Sequence, residues 1–221
     1  MRLLVISTLL LSSLCLQQVM AGELVKDAVV LDFEDTPIDQ LPEGWKVTAT
    51  NQNGSQATWK VIEDKTAPSG KKVLACLSPN HDSEVTFNIC WTDSVLFRDG
   101  EIEISFKAIK GEEDQGGGPI WRYQDQNNYY IARANPLENN FRVYKVVNGN
   151  RKQIASANVE IASGKWHTIK IISVQDKIQC YYDGKFYLEV KDNTFEKGRI
   201  GLWTKADAIT AFNDIKLKLL P

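Results

Sequence analysis

The chain has 221 residues, 26 of them basic and 28 acidic for a net charge of −2, and 43% of it is hydrophobic. No basic excess is available to neutralise a phosphate backbone, which excludes nucleic acid as the partner. The length suffices for one sizeable core, and all-β domains of this size are ordinary.

Residues 1–21 read as an export signal. Arg2 supplies the positive end, Leu3 to Leu16 is apolar with a few serines, and Val19-Met20-Ala21 places small or modest side chains at the cleavage positions. The run is too short and interrupted for a membrane span, and Leu14 before Cys15 does not fit a lipid-anchor motif. The expectation is a monomer, extracellular or periplasmic, cut near Ala21 and folded as one domain over residues 22–221. Of the cysteines, Cys76, Cys90 and Cys180 remain after cleavage. Their odd number allows at most one disulfide within the chain, and their spacing fits no metal site, so they read as small buried hydrophobes.

From Ala28 onward the pattern is one of short strands: Ala28 to Phe33, Trp45 to Val47, Thr58 to Ile62, Lys72 to Leu77, Glu84 to Trp91 and the alternating run Glu101 to Lys110. An acidic, glycine-rich loop over residues 111–118 comes next, read as solvated, with Gly116 to Gly118 lending it freedom at a cleft rim. Residues 120–155 form a meander of aromatic, β-branched and basic runs separated by clusters of Asn, Asp, Gly and Pro, which supply turns. Lys165 to Val174, Lys177 to Tyr182, Phe186 to Val190, Gly198 to Trp203 and Ala211 to Leu219 close the chain, with Asp183-Gly184 as a two-residue hairpin turn. No stretch keeps a helical period over three turns. The fold class is all-β, a two-sheet antiparallel sandwich or jelly roll.

The succession DFED, PEGW, SGKKVLA, DGEIEISFK, WRYQDQNNYYIARANPLENNFRVYKVVNG, SGKWHTIKI, YYDGKFYLEV and GRIGLWTKADAITAFNDIKLK resembles the concanavalin A-like lectin/glucanase superfamily over essentially the whole mature chain. Within it, the chain is most similar to the 3-keto-disaccharide hydrolase domain, a relative of laminin-G-like modules and family 16 glycoside hydrolases. The resemblance implies two curved sheets with the concave one as the ligand face. Trp166 in GKWHTIKI is expected in the core, and Gly198 and Gly201 are expected to serve the backbone.

Three groups of residues are candidates for chemistry. Glu101, Glu103 and Ser105 share one face of a strand, and retaining glycosidases need two carboxyl groups about 5–5.5 Å apart. Ser105 stands where a family 16 enzyme would carry its last carboxylate, so Glu101, Glu103 and His167 are the candidates for a catalytic base, with a solvated strand face as the alternative. On the meander, Arg122, Tyr130, Arg133, Asn135, Arg142 and Tyr144 would offer rings and fork-shaped donors for sugar hydroxyls or a sugar carboxylate if they share the concave face. The alternative pairs Arg122 and Arg133 with acids such as Asp125 or Glu138 and lays the tyrosines over the core. The register, either Arg122 or Tyr123 beside Tyr130, decides between them. Trp91 and Trp121 are read as core. Finally, the resemblance implies a structural calcium, with Asp214 of FNDIKLK as ligand and Glu34 or Asp32 and carbonyls near Gly70 completing it.

The function expected is carbohydrate recognition on the concave sheet, the glycan or disaccharide being the partner. A hydrolase or lyase of the 3-keto-disaccharide type and a laminin-G-like protein-adhesion module are the alternatives. No nucleophile elbow, P-loop or dinucleotide fingerprint is present.

Overall fold

The computed structural model describes residues 28–78 and 85–220. The expected leader, its cleavage point near Ala21 and Glu84 lie outside the described residues. The strands of the described residues are β1 (Val29–Leu31), β2 (Trp45–Thr50), β3 (Thr58–Glu63), β4 (Lys72–Ser78), β5 (Phe87–Phe97), β6 (Gly100–Lys110), β7 (Gly117–Asp125), β8 (Asn128–Asn135), β9 (Asn140–Val147), β10 (Asn150–Asn158), β11 (Trp166–Val174), β12 (Lys177–Tyr182), β13 (Lys185–Lys191), β14 (Gly198–Lys205) and β15 (Ile209–Leu219). None of these residues is helical, and no helix among them is long and apolar enough to cross a membrane. Every expected strand is present. The largest shift is in β5, which runs on through Phe97.

Two antiparallel sheets form the jelly-roll sandwich. The first has the order β13-β12-β11-β6-β15-β4-β3, with β1 added beside β15; the second has the order β10-β9-β8-β7-β14-β5-β2. Alternation along each strand sends one set of side chains between the sheets. Ile102, Ile104 and Phe106 of β6 and Ile169 and Ile171 of β11 meet Trp121, Ala132, Phe141 and Leu202 of the second sheet there. Two hairpins turn where backbones take the left-handed conformation that matches strand twist: Asn148 and Gly149 at φ 49° and 78°, and Asp183 and Gly184 at 46° and 74°. Cys76, Cys90 and Cys180 are buried free thiols, and burial pushes the Cys76 thiol up to about 12.

The second sheet carries a second apolar cluster on its outer face, made of Phe87, Ile89, Ile120, Tyr123, Tyr129, Ile131, Tyr144, Val146 and Trp203. These residues are buried because the sheet curls over them. In a flat sheet β10 and β5 would lie roughly 24 Å apart, five spacings of about 4.8 Å, yet the Arg151 guanidinium of β10 is 4.8 Å from the Phe87 ring of β5. At one end the edges meet: Asn51, just past β2, donates to the carbonyl of Gly149, in the turn between β9 and β10, at 3.0 Å. Thr50 of β2 bonds the Tyr129 hydroxyl at 2.7 Å. The outer face of the second sheet is therefore concave.

Candidate functional site on the concave face

The polar part of the concave face grows from two loops. Between β6 and β7, the Asp207 carboxylate accepts the amides of Glu112, Glu113 and Asp114 at 2.6, 3.0 and 3.0 Å. The loop expected to be solvated and free is thus pinned, and Asp114 turns inward until none of it is exposed. This corrects the sequence reading: three successive amides pointing at one carboxylate make a rigid turn. Between β8 and β9, Asn135 accepts the Leu137 amide at 2.9 Å and Asn139 adopts φ 48°, which folds Glu138 back over the strands.

Arg133 of β8 stands directly opposite Arg142 of β9, a like-charge pair that is unfavourable unless bridged. Glu138 bridges it: its Oε2 lies 3.0 Å from Arg133 Nη2 and 2.7 Å from Arg142 Nη1. Arg133 Nη1 reaches Asp114 at 3.1 Å, Asn135 donates to both Asp114 and Glu138 at 3.2 Å, and Asn140 donates to Glu138 at 2.9 Å. Lys205 of β14 approaches Asp114 to 3.9 Å. The two acids respond in opposite ways. Burial raises the Asp114 carboxyl above its ordinary range, against the pull of Arg133. Burial also works to raise Glu138, but the bonds from Arg133 and Asn140 outweigh it and hold that carboxyl down at about 2.

Beside this network lie the rings. Arg151 stacks over Tyr144 at 4.6 Å, Phe87 at 4.8 Å and Trp203 at 5.7 Å. Farther along the same face Trp91 leans on Tyr123 at 5.0 Å, with Lys46 above it. Trp91 is thus on the concave face and not in the core between the sheets, whereas Trp121 is in that core as expected.

Of the six residues expected to bind a sugar, four converge here: Arg133, Asn135, Arg142 and Tyr144. Arg122 and Tyr130 do not: neither anticipated register forms, and Tyr130 has the opposite strand parity to Arg133 and Asn135 on the unbroken β8–β9 ladder. Trp121 pairs with Tyr130, and a bulge separates that pair from Asp125–Asn128. Arg122 takes the left-handed conformation at φ 48° inside the bulge, and an extra residue of this kind reverses the facing of the residues beyond it. Its buried guanidinium ties loops together, donating to the carbonyls of Arg98, Phe195 and Gln175 at 2.9, 3.0 and 2.9 Å and pairing with Asp99 at 3.2 Å. Tyr130 points between the sheets, stacked on Trp121 at 5.4 Å, and its hydroxyl donates to Asp192 at 2.5 Å. Burial pushes that phenol up to about 12.

The residues expected to be catalytic lie on the other sheet. Glu101 and Glu103 occupy the outward face of β6, 3.6 and 3.7 Å from Lys218 and Lys216 of the neighbouring β15. His167 of β11 has Nδ1 on Asp183 at 2.8 Å and Nε2 on the Ala162 carbonyl at 3.0 Å, so both ring nitrogens are occupied by acceptors. Trp166, expected in the core, instead lies on the outward face, packed with Val73, Ala75 and Ala211. The sandwich thus places the expected catalytic residues on a different sheet from the convergent sugar-binding residues.

Glu34 and Asp214 do meet on one loop. Glu34 Oε1 accepts the Lys71 and Lys72 amides at 2.7 Å each, and Asp214 Oδ1 accepts the Ser69 hydroxyl. The Asp32 carboxylate is turned to the Glu34 amide at 3.2 Å. Among the described residues no group of three or more His, Cys, Asp or Glu side chains is arranged to hold a metal, so a cation at this loop would draw mostly on carbonyl oxygens.

Sequence reasoning missed Asp114, Asn140, Arg151, Trp203 and Lys205 as members of the concave site. Asn140 and Arg151 left a usable signal: Asn140 has the period-two parity of Arg142 and Tyr144 on β9, and Arg151 pairs across the two-residue hairpin with Val146 of that same face.

A sequence model of the family described as 3-keto-alpha-glucoside-1,2-lyase-like domain matches residues 37–218. No curated protein matches the chain. Similar solved structures include the carbohydrate binding module CBM66 from Bacillus subtilis, at 20% identity and TM-score 0.62 over 79% of this chain and 95% of that one. The cellulose induced protein Cip1 matches at 12% identity and TM-score 0.58 over 86% and 96%. The beta-glucanase of Bacillus licheniformis matches at 15% identity and TM-score 0.54 over 88% and 98%. At these identities the likeness is one of fold.

Proposed function

The chain belongs to the 3-keto-alpha-glucoside-1,2-lyase-like domain family, and we propose that it is a secreted carbohydrate-recognising protein that binds a glycan or disaccharide on the concave face of its second sheet. One observation carries this reading: Arg133, Arg142 and Arg151 converge with Asp114 and Glu138 beside the Tyr144 ring on that face. Burying so many charges adds little to stability compared with apolar packing, and rings flanked by planar donors suit the apolar faces and hydroxyl edges of a sugar.

Family membership favours a second reading, lyase action on a 3-keto glycoside. There the 3-oxo group acidifies the C2–H bond; a base takes that proton, the C1–O bond breaks, and the leaving oxygen gains a proton. Asp114 and Glu138 are the carboxylates of the polar network on the concave face, while Glu101, Glu103 and His167 would serve only a ligand on the opposite sheet.

The test is to incubate the full chain with 3-keto and ordinary disaccharides, following products by mass spectrometry and retention by equilibrium binding. Retention lost in Tyr144→Ala supports recognition on this face. Multiple turnovers on the 3-keto sugars establish the lyase. Neither retention nor turnover on the panel sinks both readings and leaves the adhesion alternative.

A structural calcium at Asp214 and Glu34 is part of the same proposal, with Oδ2 and Oε2 as its carboxylate donors and the Ser69-Gly70 turn as the source of carbonyls. Melting with calcium against melting with a chelator tests it: a higher midpoint in calcium supports the site, and superimposable curves remove it.

A further inference from the structure

We propose that the concave site selects sugars bearing an anionic substituent, a carboxylate or a sulfate ester, held between Arg133 and Arg151 beside Tyr144. This rests on the concave face being the carbohydrate site.

The observation behind it is a pair of orphaned donors. Arg133 is 1% exposed. Its two terminal nitrogens are used by Asp114, Glu138 and Asn140, but its Nε is buried with no hydrogen-bond partner among the described residues. Arg151 goes further: among the described residues its Nη1 is likewise buried and unpartnered, and its guanidinium rests on ring faces. Rings attract a cation without accepting its N–H bonds in the way an oxygen does. Both guanidiniums address the same ring, Tyr144, at 6.0 and 4.6 Å.

Buried donors of charged groups are costly to leave unmade, and a guanidinium edge matches a carboxylate or sulfate with two parallel bonds. A neutral hydroxyl could accept one N–H, so charge decides the ligand class. Around this point four cationic side chains, Arg133, Arg142, Arg151 and Lys205, face two carboxylates, Asp114 and Glu138. The network is left with an excess of positive charge that an anionic sugar would cancel.

The experiment is calorimetric titration of the full chain with a glucuronate-containing disaccharide, a sulfated disaccharide, the matching neutral disaccharide and inorganic sulfate, at low and high salt. The anionic disaccharides are expected to bind roughly tenfold or more tighter than the neutral one, the factor that one charge-assisted hydrogen bond supplies, with the advantage shrinking in salt. Arg151→Met is expected to bring the ratio near unity, whereas Arg151→Lys, which keeps charge and loses the fork, retains part of it. Salt dependence in the unaltered protein gives a readout that needs no variant to fold. Equal affinity for neutral and anionic disaccharides would overturn the inference while leaving carbohydrate recognition in place. Binding of inorganic sulfate as tight as that of the sulfated sugar would also overturn it, marking a bare anion site. Failure to bind any of the sugars removes the parent reading and this one with it.

Discussion

Glu138 is the residue on which the polar network turns. It neutralises two arginines that the β8–β9 register sets face to face. Its carboxyl is held near 2, below the ordinary 4.5. A carboxyl lowered in the folded state contributes stability that is present above about 4.5 and lost as pH falls through about 2. Asp114, raised chiefly by burial, contributes with the opposite sign; the Glu138 charge is the least of the influences on it, so that contribution changes little in the Glu138→Gln variant. Thermal melts between pH 5 and pH 2.5 are therefore expected to fall more steeply for the unaltered protein than for the variant. Parallel curves would show that Glu138 does not bridge the arginines in solution.

Among the elements, β7 decides which meander residues can meet a ligand. Its bulge at Arg122 lies against β14, where Gly198 leaves no room for a side chain: a Cβ there would sit 2.3 Å from the carbonyl carbon of Arg122 and 2.5 Å from the oxygen of Tyr123. Both obstacles are backbone and cannot rotate away. Gly198→Ala is expected to destabilise the protein by roughly 1–3 kcal/mol, as overpacking does, measured as a lower urea midpoint at unchanged slope. An unchanged midpoint would mean that the bulge can relax. The bulge also explains why Arg122 left the expected binding set, whereas Tyr130 left it by strand parity, alternating with Arg133 and Asn135 along an unbroken β8–β9 ladder. Period-two counting holds only on an unbroken ladder, and Arg122 was drawn off the ladder to satisfy three loop carbonyls.

At the scale of the whole molecule, the two sheets divide the expected chemistry. Glu101 and Glu103 are partly exposed on the first sheet, each beside a lysine of β15, in pairs of the kind worth less than about 1 kcal/mol. Replacing both by Ala is expected to leave sugar retention and any turnover intact. A variant that loses turnover while folding normally would move the reactive cleft to the first sheet. The curl of the second sheet has the converse effect: it buries Trp203 and Tyr129 on an outer face that a flat sheet would leave wet, and it brings Arg151 across to the Trp203 and Phe87 rings, four and five strands away.

Strand order along the chain, the two Asn/Asp-Gly hairpins and the jelly-roll class were legible in the residues, because period-two alternation and left-handed turn residues act locally. So was the fate of the cysteines, whose spacing offered no metal site, and so were four members of the concave site, which share the parity of β8 and β9. Other features depended on contacts between distant parts of the chain. Asp114 looked solvated until Asp207, nearly a hundred residues later, pinned its loop. Arg151 looked like one more strand-surface cation until the sheet curved. The amino-acid sequence determined which segments become strands and where they turn; only the tertiary structure decided which faces are concave, because curvature and bulges arise from packing between strands that the local pattern does not encode.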